Sequence, residues 1–418
     1  MFRPNVTRLG ALLALVVALA CPPAATAQRD GPAAPLRDRL IALMGPAGAA
    51  SGAYVAQVGT GAEVFASRAD VPRIPASVQK LYTTSAALRR FGPDDRLLTT
   101  VVGTGTIDGD GAYRGDLVLR GAGDPTFGSE SFTRRAYGGG MATVQDLAGD
   151  LAAHGIRRVE GRILGDESAF DALRGVPDSG LRRISPYVGP LSGLDYNRGL
   201  AAESGAAYQS DPPSFAAERL REALRARGVM VRGASAAGIA PPGASELARD
   251  ESPPVRVLAR LTNRPSDNHL AEMLLKDLGS RFGGAGSTTA GASVAGAAAA
   301  EAGAEPRVVD GSGLSRANQT TPHDVVDLLL ANAGDRAFTG SLAVAGRHGT
   351  LRTRMRGTAA AGRCRAKTGT LSNVSGLAGY CATASGGTVA FAVLMNAVSP
   401  SGARAIQDRI AAELARSA

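Results

Sequence analysis

Ser77 and Lys80 lie three residues apart at the predicted start of a helix. A serine hydroxyl is a poor nucleophile until a base removes its proton, and a lysine serves as that base when burial and neighbouring cations lower its pKa. Residues three apart share a helix face, and the helix dipole favours an anionic serine oxygen. The pair therefore predicts nucleophilic catalysis. Taken alone, it also fits a helix cap beside a solvated lysine.

Two further short motifs carry the polar groups that such a nucleophile needs. They are Ser-Asp-Asn at residues 266–268, in a loop before a predicted helix, and Lys-Thr-Gly at residues 367–369, at the end of a predicted strand. Each motif alone occurs by chance in many proteins. In this order and in these contexts, the three motifs resemble the active site of the serine enzymes that recognise penicillin.

The hydrophobic pattern predicts the elements that must position these motifs. The helix after Ser77 has Pro75 in its first turn and ends at residues 91–93, Phe-Gly-Pro. Alternating residues around a glycine turn predict an early hairpin, and three late strands precede an amphipathic helix. We expect these five strands to form one sheet. The segments are residues 54–58, 64–67, 361–367, 375–384 and 388–396 for the strands, and 403–414 for the terminal helix.

The residue pattern changes in the middle of the chain, where it predicts a β-rich module. Residues 97–254 contain short strands, such as 115–120 and 158–166, many glycine-rich turns and only occasional helices, such as 143–154. The chain returns to a helical pattern from residue 255 onward. We therefore expect the middle region to interrupt the domain that begins before it.

Several longer segments narrow the resemblance to one family. Ser77 and Ser266 are 189 positions apart, and five runs carry the likeness: 115–126, 161–166, 310–316, 349–352 and 366–372. The chain resembles the D-alanyl-D-alanine carboxypeptidase/endopeptidase family, the class C low-molecular-mass penicillin-binding proteins, over nearly all of its length after the leader.

The resemblance implies an α/β (α+β) fold with nested insertions. A transpeptidase/β-lactamase-like domain, with a five-stranded antiparallel sheet flanked by helices, would be interrupted by nested β-rich insert domains. The expected boundaries are 1–27 for a signal peptide, 28–96 and 255–418 for the two parts of the penicillin-binding domain, and 97–254 for the inserts.

The resemblance also assigns catalytic roles to five residues. Ser77 would form an acyl-enzyme, with Lys80 as its base and Lys367 as a second positive charge. Ser266 would relay the proton to the departing amine, and Asn268 would orient Lys80 and the substrate amide. Water would then hydrolyse the acyl-enzyme.

Substrate contacts follow from the same resemblance. Thr368, Gly369 and Thr370 belong to a substrate-binding strand that holds the terminal carboxylate of D-alanine together with Lys367, and the backbone N–H groups of Ser77 and Thr370 would form the oxyanion hole. Leu314 and Leu371 would line the pocket for the substrate side chain. Asp166 would contact the amino group of a diaminopimelate-type side chain, or else stabilise a structural turn.

The expected function is therefore cleavage of peptidoglycan stem peptides, with β-lactam antibiotics as covalent inhibitors. Carboxypeptidase and endopeptidase activity both stay open, because both use the same serine. A serine β-lactamase shares the three motifs, but the long insertion and the missing Glu-x-x-x-Asn element argue against it. A non-catalytic peptidoglycan-binding scaffold is the alternative from another class.

The first 27 residues have the pattern of a secretory signal peptide. Arg3 and Arg8 precede an apolar run at residues 9–20, and Ala-Thr-Ala at residues 25–27 fits a cleavage site. The run is shorter than the roughly 20 residues that span a bilayer, so no stable transmembrane segment is expected. We expect an exported protein of the periplasm or cell envelope. Lipid anchoring at Cys21 is not expected, because Ala18 stands where lipoprotein leaders carry Leu.

Two cysteines remain after the leader, Cys364 and Cys381, and export would permit a disulfide between them. A hairpin centred between Ser372 and Asn373 would place them directly opposite each other. The sequence thus predicts a cross-strand bridge, with two small buried residues as the alternative.

Composition argues against nucleic-acid and cofactor classes. The formal net charge is +9, but the basic residues are dispersed, and there is no tryptophan and only 4% aromatic residues for base stacking. The four histidines lack the spacing of a metal site, and no phosphate-binding glycine loop is present. No nucleic-acid partner, metal or cofactor is expected.

Overall fold

The structure is a computed structural model that describes residues 35–205 and 207–417. The predicted signal peptide, including Cys21, lies outside the described residues. The helices of the described part are α1 (Leu36–Met44), α2 (Lys80–Phe91), α3 (Glu130–Tyr137), α4 (Val144–Ala153), α5 (Pro212–Ala226), α6 (Val255–Asn263), α7 (Asn268–Phe282), α8 (Thr288–Ala300), α9 (Pro322–Ala331), α10 (Arg336–Ser341) and α11 (Pro400–Arg416).

The strands of the same part form three sheets. They are β1 (Ser51–Gln57), β2 (Glu63–Ser67), β3 (Leu98–Gly103), β4 (Thr106–Ile107), β5 (Ala112–Arg114), β6 (Leu117–Gly121), β7 (Arg158–Val159), β8 (Ile163–Asp166), β9 (Met230–Val231), β10 (Ser235–Ala237), β11 (Ser245–Glu251), β12 (Ala343–Val344), β13 (Cys364–Leu371), β14 (Val374–Ala382) and β15 (Thr388–Asn396). The α/β class predicted from the sequence is confirmed.

The largest sheet is antiparallel and joins the two ends of the chain. Its strand order is β12-β13-β14-β15-β1-β2, with β1 and β15 paired from Ser51 opposite Met395 to Gln57 opposite Val389. The sequence predicts five strands here, and the structure adds a sixth. Strand β12 pairs only two residues with β13, which is too short to leave an alternating hydrophobic pattern.

Helices cover both faces of this sheet because its central strands are apolar on both sides. Phe391 and Val393 of β15 pack with α1 and α11, whereas Ala392 and Leu394 pack with α2 and α9. The near-continuous burial of β14 and β15 follows from this two-sided packing. Strand β13 lies near the edge of the sheet, with β12 alone beyond it, and carries the Lys-Thr-Gly motif.

Two smaller sheets lie between α2 and α6 in the chain. One has the order β10-β8-β6-β3-β11 and the other β4-β5-β7-β9. The prediction of a single strand at residues 158–166 was wrong, because β7 and β8 belong to different sheets. The chain turns between them at Gly161, where a Cβ would lie 2.2 Å from the carbonyl oxygen of Gly115. The described residues from Leu36 onward form one compact unit. The domain boundaries at 97 and 254 therefore stay predictions.

Helix α9 shows how local sequence sets an element boundary. Thr321 caps it: the Thr321 hydroxyl accepts a hydrogen bond from the Asp324 N–H at 2.9 Å, and the Asp324 carboxylate accepts one from the Thr321 N–H at 3.0 Å. These two hydrogen bonds fix the start of α9. In the part of the chain that the structure describes, no helix is both long and apolar enough to cross a membrane.

Candidate active site

The serine of the first motif lies in a tight turn that leads into α2. Residues Ala76–Gln79 form a 3₁₀ turn, and the α-helix begins at Lys80. Residues three apart nearly eclipse in such a turn, and the Lys80 ammonium donates a hydrogen bond of 3.0 Å to the Ser77 hydroxyl. Ala76 has a φ of +49°, a region that residues other than glycine seldom adopt. Backbone strain is therefore held next to the half-buried Ser77.

Lys80 is buried and uses three donors inside the site. Besides Ser77, its ammonium donates to the Asn268 side-chain oxygen at 2.7 Å and to the Ser312 carbonyl at 2.6 Å. An ammonium carries three N–H groups, so these acceptors fix its position. The first and second motifs are thus brought together as predicted, and the Ser312 carbonyl is a partner that sequence reasoning missed.

The electrostatic environment of Lys80 suits a general base. Burial lowers the pKa of Lys80 to about 8, although the nearby carboxylates of Asp310, Glu272 and Asp267 act to raise it. The sequence predicts that burial and neighbouring cations lower this pKa. Burial is the main cause, and Lys367 is close enough for its own pKa to be lowered by the charge of Lys80. A lysine with a pKa near 8 has a substantial neutral fraction near neutral pH.

Glu272 is the main residue that sequence reasoning missed. It lies four residues after Asn268 on α7, is fully buried, and accepts hydrogen bonds from the N–H groups of Ser312 at 2.8 Å and Gly311 at 3.2 Å. Burial and the neighbouring Asp310 raise the pKa of Glu272 to about 7. The carboxylate therefore holds the loop whose Ser312 carbonyl holds Lys80. The four-residue spacing from Asn268 was the available signal.

The second and third motifs meet through Ser266 and Lys367. The Lys367 ammonium donates to the Ser266 hydroxyl at 2.7 Å and to the Thr368 carbonyl at 2.8 Å. Burial, together with the charge of Lys80, holds the pKa of Lys367 well below its usual value. The two lysines thus lie in the same site, each bonded to one of its two serines.

Asp267 is the N-cap of α7. Its carboxylate accepts the N–H of Leu270 at 3.0 Å at the start of α7. It also accepts two hydrogen bonds from the Arg198 guanidinium, at 2.6 and 2.9 Å. This ion pair ties the Ser-Asp-Asn loop to the middle region of the chain, a contact that the sequence did not predict.

Gly369 lets strand β13 approach the turn that contains Ser77. A Cβ at this position would lie 2.6 Å from the Pro75 carbonyl oxygen and 3.2 Å from the Ser77 nitrogen. Any larger residue would therefore push the strand away from the turn. The neighbouring Thr368 hydroxyl donates to the Thr350 hydroxyl at 2.9 Å, which fixes the outer side of the strand.

Two cavities open beside Ser77. The first, of about 530 Å³, contains Leu314 and Leu371, as predicted for a side-chain pocket, together with Ser77, Val176, Asp178, Ser179, Ser185, Pro186, Tyr187, Asn268, Arg316, Thr370 and Ser372. The second, of about 420 Å³, is lined by Ser77, Ser266, Thr350, Thr353, Arg354, Thr368, Thr370 and Arg404. Ser77 and Thr370 line both cavities, so Ser77 lies where the two cavities meet.

Asp166 lies apart from these groups. It is buried at the end of β8, and its two carboxylate oxygens accept N–H groups of Ser168 at 2.8 Å and Ala240 at 2.9 Å. It lines neither cavity beside Ser77, so its contacts favour the structural-turn alternative. Asp178, in the wall of the first cavity, is a carboxylate that sequence reasoning did not single out.

The two cysteines lie at the other end of β13 from Leu371. Cys364 stands directly opposite Cys381 on β14, and a disulfide joins them. Both cysteines are buried in the core beneath α11. Within the described residues, no group of three or more histidine, cysteine or acidic side chains is arranged to hold a metal ion.

Comparison with known proteins gives one consistent family. The sequence matches the D-Ala-D-Ala carboxypeptidase 3 (S13) family over residues 38–202 and 200–417. It is 30% identical to a D-alanyl-D-alanine carboxypeptidase of Actinomadura sp., covering 88% of this chain and 81% of that protein. It is 32% identical to the carboxypeptidase DacB of Mycolicibacterium smegmatis, covering 85% and 78% of the two chains.

A penicillin-binding protein of known structure has a similar fold. Penicillin-binding protein 4 of Haemophilus influenzae, in a crystal structure with a β-lactam, superposes with a TM-score of 0.73 at 18% identity, covering 90% of this chain and 99% of that chain. The chain belongs to the D-Ala-D-Ala carboxypeptidase 3 (S13) family.

Proposed function

We propose that this protein is an exported serine carboxypeptidase that removes the terminal D-alanine of peptidoglycan stem peptides through an acyl-enzyme on Ser77. Cleavage of the D-alanyl cross-bridge between stem peptides belongs to the same proposal. The observation that carries it is the contact of the buried Lys80 with the Ser77 hydroxyl at 3.0 Å. A nucleophile with its base in hydrogen-bond reach is the arrangement that covalent catalysis requires.

Acylation begins when the neutral Lys80 amine takes the Ser77 proton. The serine oxygen attacks the carbonyl carbon between the two D-alanines, and the carbonyl oxygen becomes an oxyanion. Backbone N–H groups of Ser77 and Thr370 stabilise this charge; a single such donor contributes about 3 kcal/mol where it has been tested. Thr370 lines both cavities with Ser77, which supports this role.

The tetrahedral intermediate then releases D-alanine. The C–N bond breaks, and the departing amine takes a proton relayed by Ser266, whose hydroxyl is held by Lys367 at 2.7 Å. Asn268 fixes Lys80 at 2.7 Å and orients the substrate amide. Water, activated by the same base, attacks the ester carbonyl and frees Ser77.

Binding by β-lactams follows from the same chemistry, because the strained lactam carbonyl is attacked as the peptide carbonyl is. The fold neighbour from Haemophilus influenzae was crystallised with a β-lactam, which supports extending the property to this chain. The Cys364–Cys381 disulfide supports export, since such bonds persist in oxidising compartments.

The test is product analysis with two substrates, a pentapeptide ending in D-alanyl-D-alanine and a cross-linked muropeptide dimer. The wild type is expected to release D-alanine from the first and to split the second, whereas Ser77→Ala does neither. Ser401→Ala, at an exposed serine of α11, is the matched control and keeps full activity. Unchanged substrates with the wild type would contradict the proposal and favour a binding scaffold. Rapid penicillin turnover without peptide cleavage would favour a β-lactamase.

A further inference from the structure

The acidic residues of the chain are unevenly distributed, and two segments that contain many arginines have none. Residues 336–407 contain nine lysines and arginines but no aspartate or glutamate, and the formal net charge of the whole chain is also +9. Residues 252–266 contain three arginines, again without an acidic residue. The positive charge of the protein is therefore concentrated in these two segments.

The fold brings five arginines of the two segments to one surface. We call it the arginine surface, and its members are Arg260, Arg264, Arg347, Arg363 and Arg365. Arg264, directly after α6, and Arg365 of β13 donate hydrogen bonds to neighbouring carbonyls at the end of α10, at 2.9 and 3.4 Å. The Arg347 guanidinium lies against Gly362, where a Cβ would be 2.6 Å from it. Arg363 and Arg365 line the same cavity, of about 400 Å³.

The arginine surface lacks negative charges to balance it. Among the residues that the structure describes, none of its five arginines forms an ion pair with a carboxylate, and all but the half-buried Arg264 are exposed. Asp335, directly before the longer segment, caps α10 by accepting two N–H groups at 2.7 and 3.2 Å. Burial and, after it, the charges of Arg260 and Arg365 lower the pKa of Arg264. A bound anion would relieve this repulsion between like charges.

The arginine surface borders the catalytic site but extends away from it. The Thr350 N–H donates to the Arg264 carbonyl at 3.0 Å, and Thr350 lines the second cavity. Arg363 directly precedes β13 and lies roughly 13 Å along the chain from Lys367. Two residues of an extended peptide span only about 7 Å. A D-alanyl-D-alanine end bound in the cleft therefore does not reach across the surface, which stays open to another group.

The chemistry of the surface fits a polymer with repeated carboxylates. Guanidinium groups match carboxylates in geometry and stay charged at every working pH. Peptidoglycan presents many stem peptides with free carboxylates, so that several anions can meet several cations at once. A lipid surface fits less well, because membrane-binding surfaces combine basic with apolar side chains. Within the described residues, no large exposed hydrophobic side chain lies in the segments 252–266 and 336–365.

We propose that the arginine surface binds the carboxylates of stem peptides that neighbour the reacting one in the peptidoglycan polymer. It holds the enzyme on the assembled polymer and makes cleavage of a polymer-bound peptide more efficient than cleavage of the free peptide. The inference rests on the proposed peptidase function. It adds a second contact with the substrate polymer, outside the cleft that contains Ser77.

The experiment compares the release of D-alanine from a soluble pentapeptide and from purified insoluble peptidoglycan that contains the same pentapeptide. The test variant carries Arg260→Gln, Arg347→Gln and Arg365→Gln together. A contact between exposed charges contributes little alone, but the loss of three is expected to lower kcat/KM on the polymer about tenfold. On the soluble pentapeptide, kcat/KM is expected to change less than about twofold, which also shows that the variant is folded.

The matched control variant removes three positive charges elsewhere, with Arg37→Gln, Arg89→Gln and Arg157→Gln. These arginines lie in α1, in α2 and directly before β7; they are exposed and form no ion pair among the described residues. The control is expected to keep the wild-type ratio between the two substrates. A second readout is cosedimentation of Ser77→Ala with the insoluble polymer. This binding is expected to weaken about tenfold with the three test substitutions, and also with a polymer whose carboxylates are amidated.

The outcomes separate this inference from the proposed function. If the wild type cleaves both substrates but the test variant keeps the wild-type ratio, or if the control variant changes it equally, the role of the arginine surface is refuted while the peptidase function stands. Wild-type binding to anionic lipid vesicles but not to the polymer would also refute that role. If the wild type cleaves neither substrate, while Ser77→Ala still binds the polymer through the arginine surface, the proposed function is refuted and the surface stands.

Discussion

Replacing Glu272 by Gln is expected to move the pH profile of acylation to lower pH. Lys80 must be neutral to accept the Ser77 proton, and its pKa is about 8, so the wild-type rate falls as pH drops below about 8. The Glu272 carboxylate favours the charged form of Lys80. Removing this anion destabilises the ammonium, which lowers the pKa of Lys80 and makes the base available at lower pH.

The size of the shift follows from the path between the two groups. Lys80 donates to the Ser312 carbonyl at 2.6 Å, and the Ser312 N–H donates to Glu272 at 2.8 Å. The carbonyl and the N–H belong to the same residue, so the Lys80 ammonium and the Glu272 carboxylate lie on the order of 7 Å apart. At an effective dielectric constant of about 20, the attraction is about 2 kcal/mol, or roughly 1.5 pKa units. Because the pKa of Glu272 is itself about 7, the carboxylate is mostly ionised where Lys80 titrates, and the expected shift stays at roughly 1.5 pKa units.

The assay is the rate of acylation by a penicillin in well-buffered solution, measured across roughly pH 6 to 10. The amide introduced by Glu272→Gln cannot accept both loop N–H groups as the carboxylate does, so the maximal acylation rate is expected to fall as well. The readout is therefore the pH midpoint of the profile. Glu246→Gln, at an exposed carboxylate of β11, controls for a general change in net charge. A midpoint that stays in place or rises would refute the electrostatic reasoning.

Two further outcomes follow from strand β13. Replacing both Cys364 and Cys381 by Ala is expected to lower the free energy of unfolding by about 3 kcal/mol, because the bridge closes a loop with a sequence separation of 17. Urea titration measures this free energy. As a control, reduction of the wild type is expected to lower it by the same amount. Gly369→Ala is expected to slow acylation more than about tenfold, because its Cβ would lie 2.6 Å from the Pro75 carbonyl oxygen. An unchanged acylation rate in a folded Gly369→Ala protein would contradict the close approach of strand and nucleophile.

Local patterns predicted the parts of the fold that depend on neighbouring residues. The late hairpin illustrates this, because two strands around one turn fix their own register: Cys364 faces Cys381 and Lys367 faces Ala378 in the structure. The three chemical motifs were found because each is short and their order is distinctive.

Contacts between distant segments were beyond the reach of such patterns. Arg198 carries no local signal that it pairs with Asp267, 69 positions later. Glu272 lies on the same helix as Asn268, but its role depends on the loop at Gly311, which is 39 positions later in the chain. The two-residue strand β12 is defined only by its partner. In each case the tertiary partner, which no local window contains, decides the role.

Intact-mass spectrometry after mixing the protein with a penicillin shows whether Ser77 is the nucleophile. The assignment of Ser77 as the nucleophile predicts a mass increase of one antibiotic molecule in the wild type and none in Ser77→Ala, with peptide mapping placing the adduct on Ser77. An adduct of the same size on Ser77→Ala, or neither adduct nor turnover with the folded wild type, would contradict it.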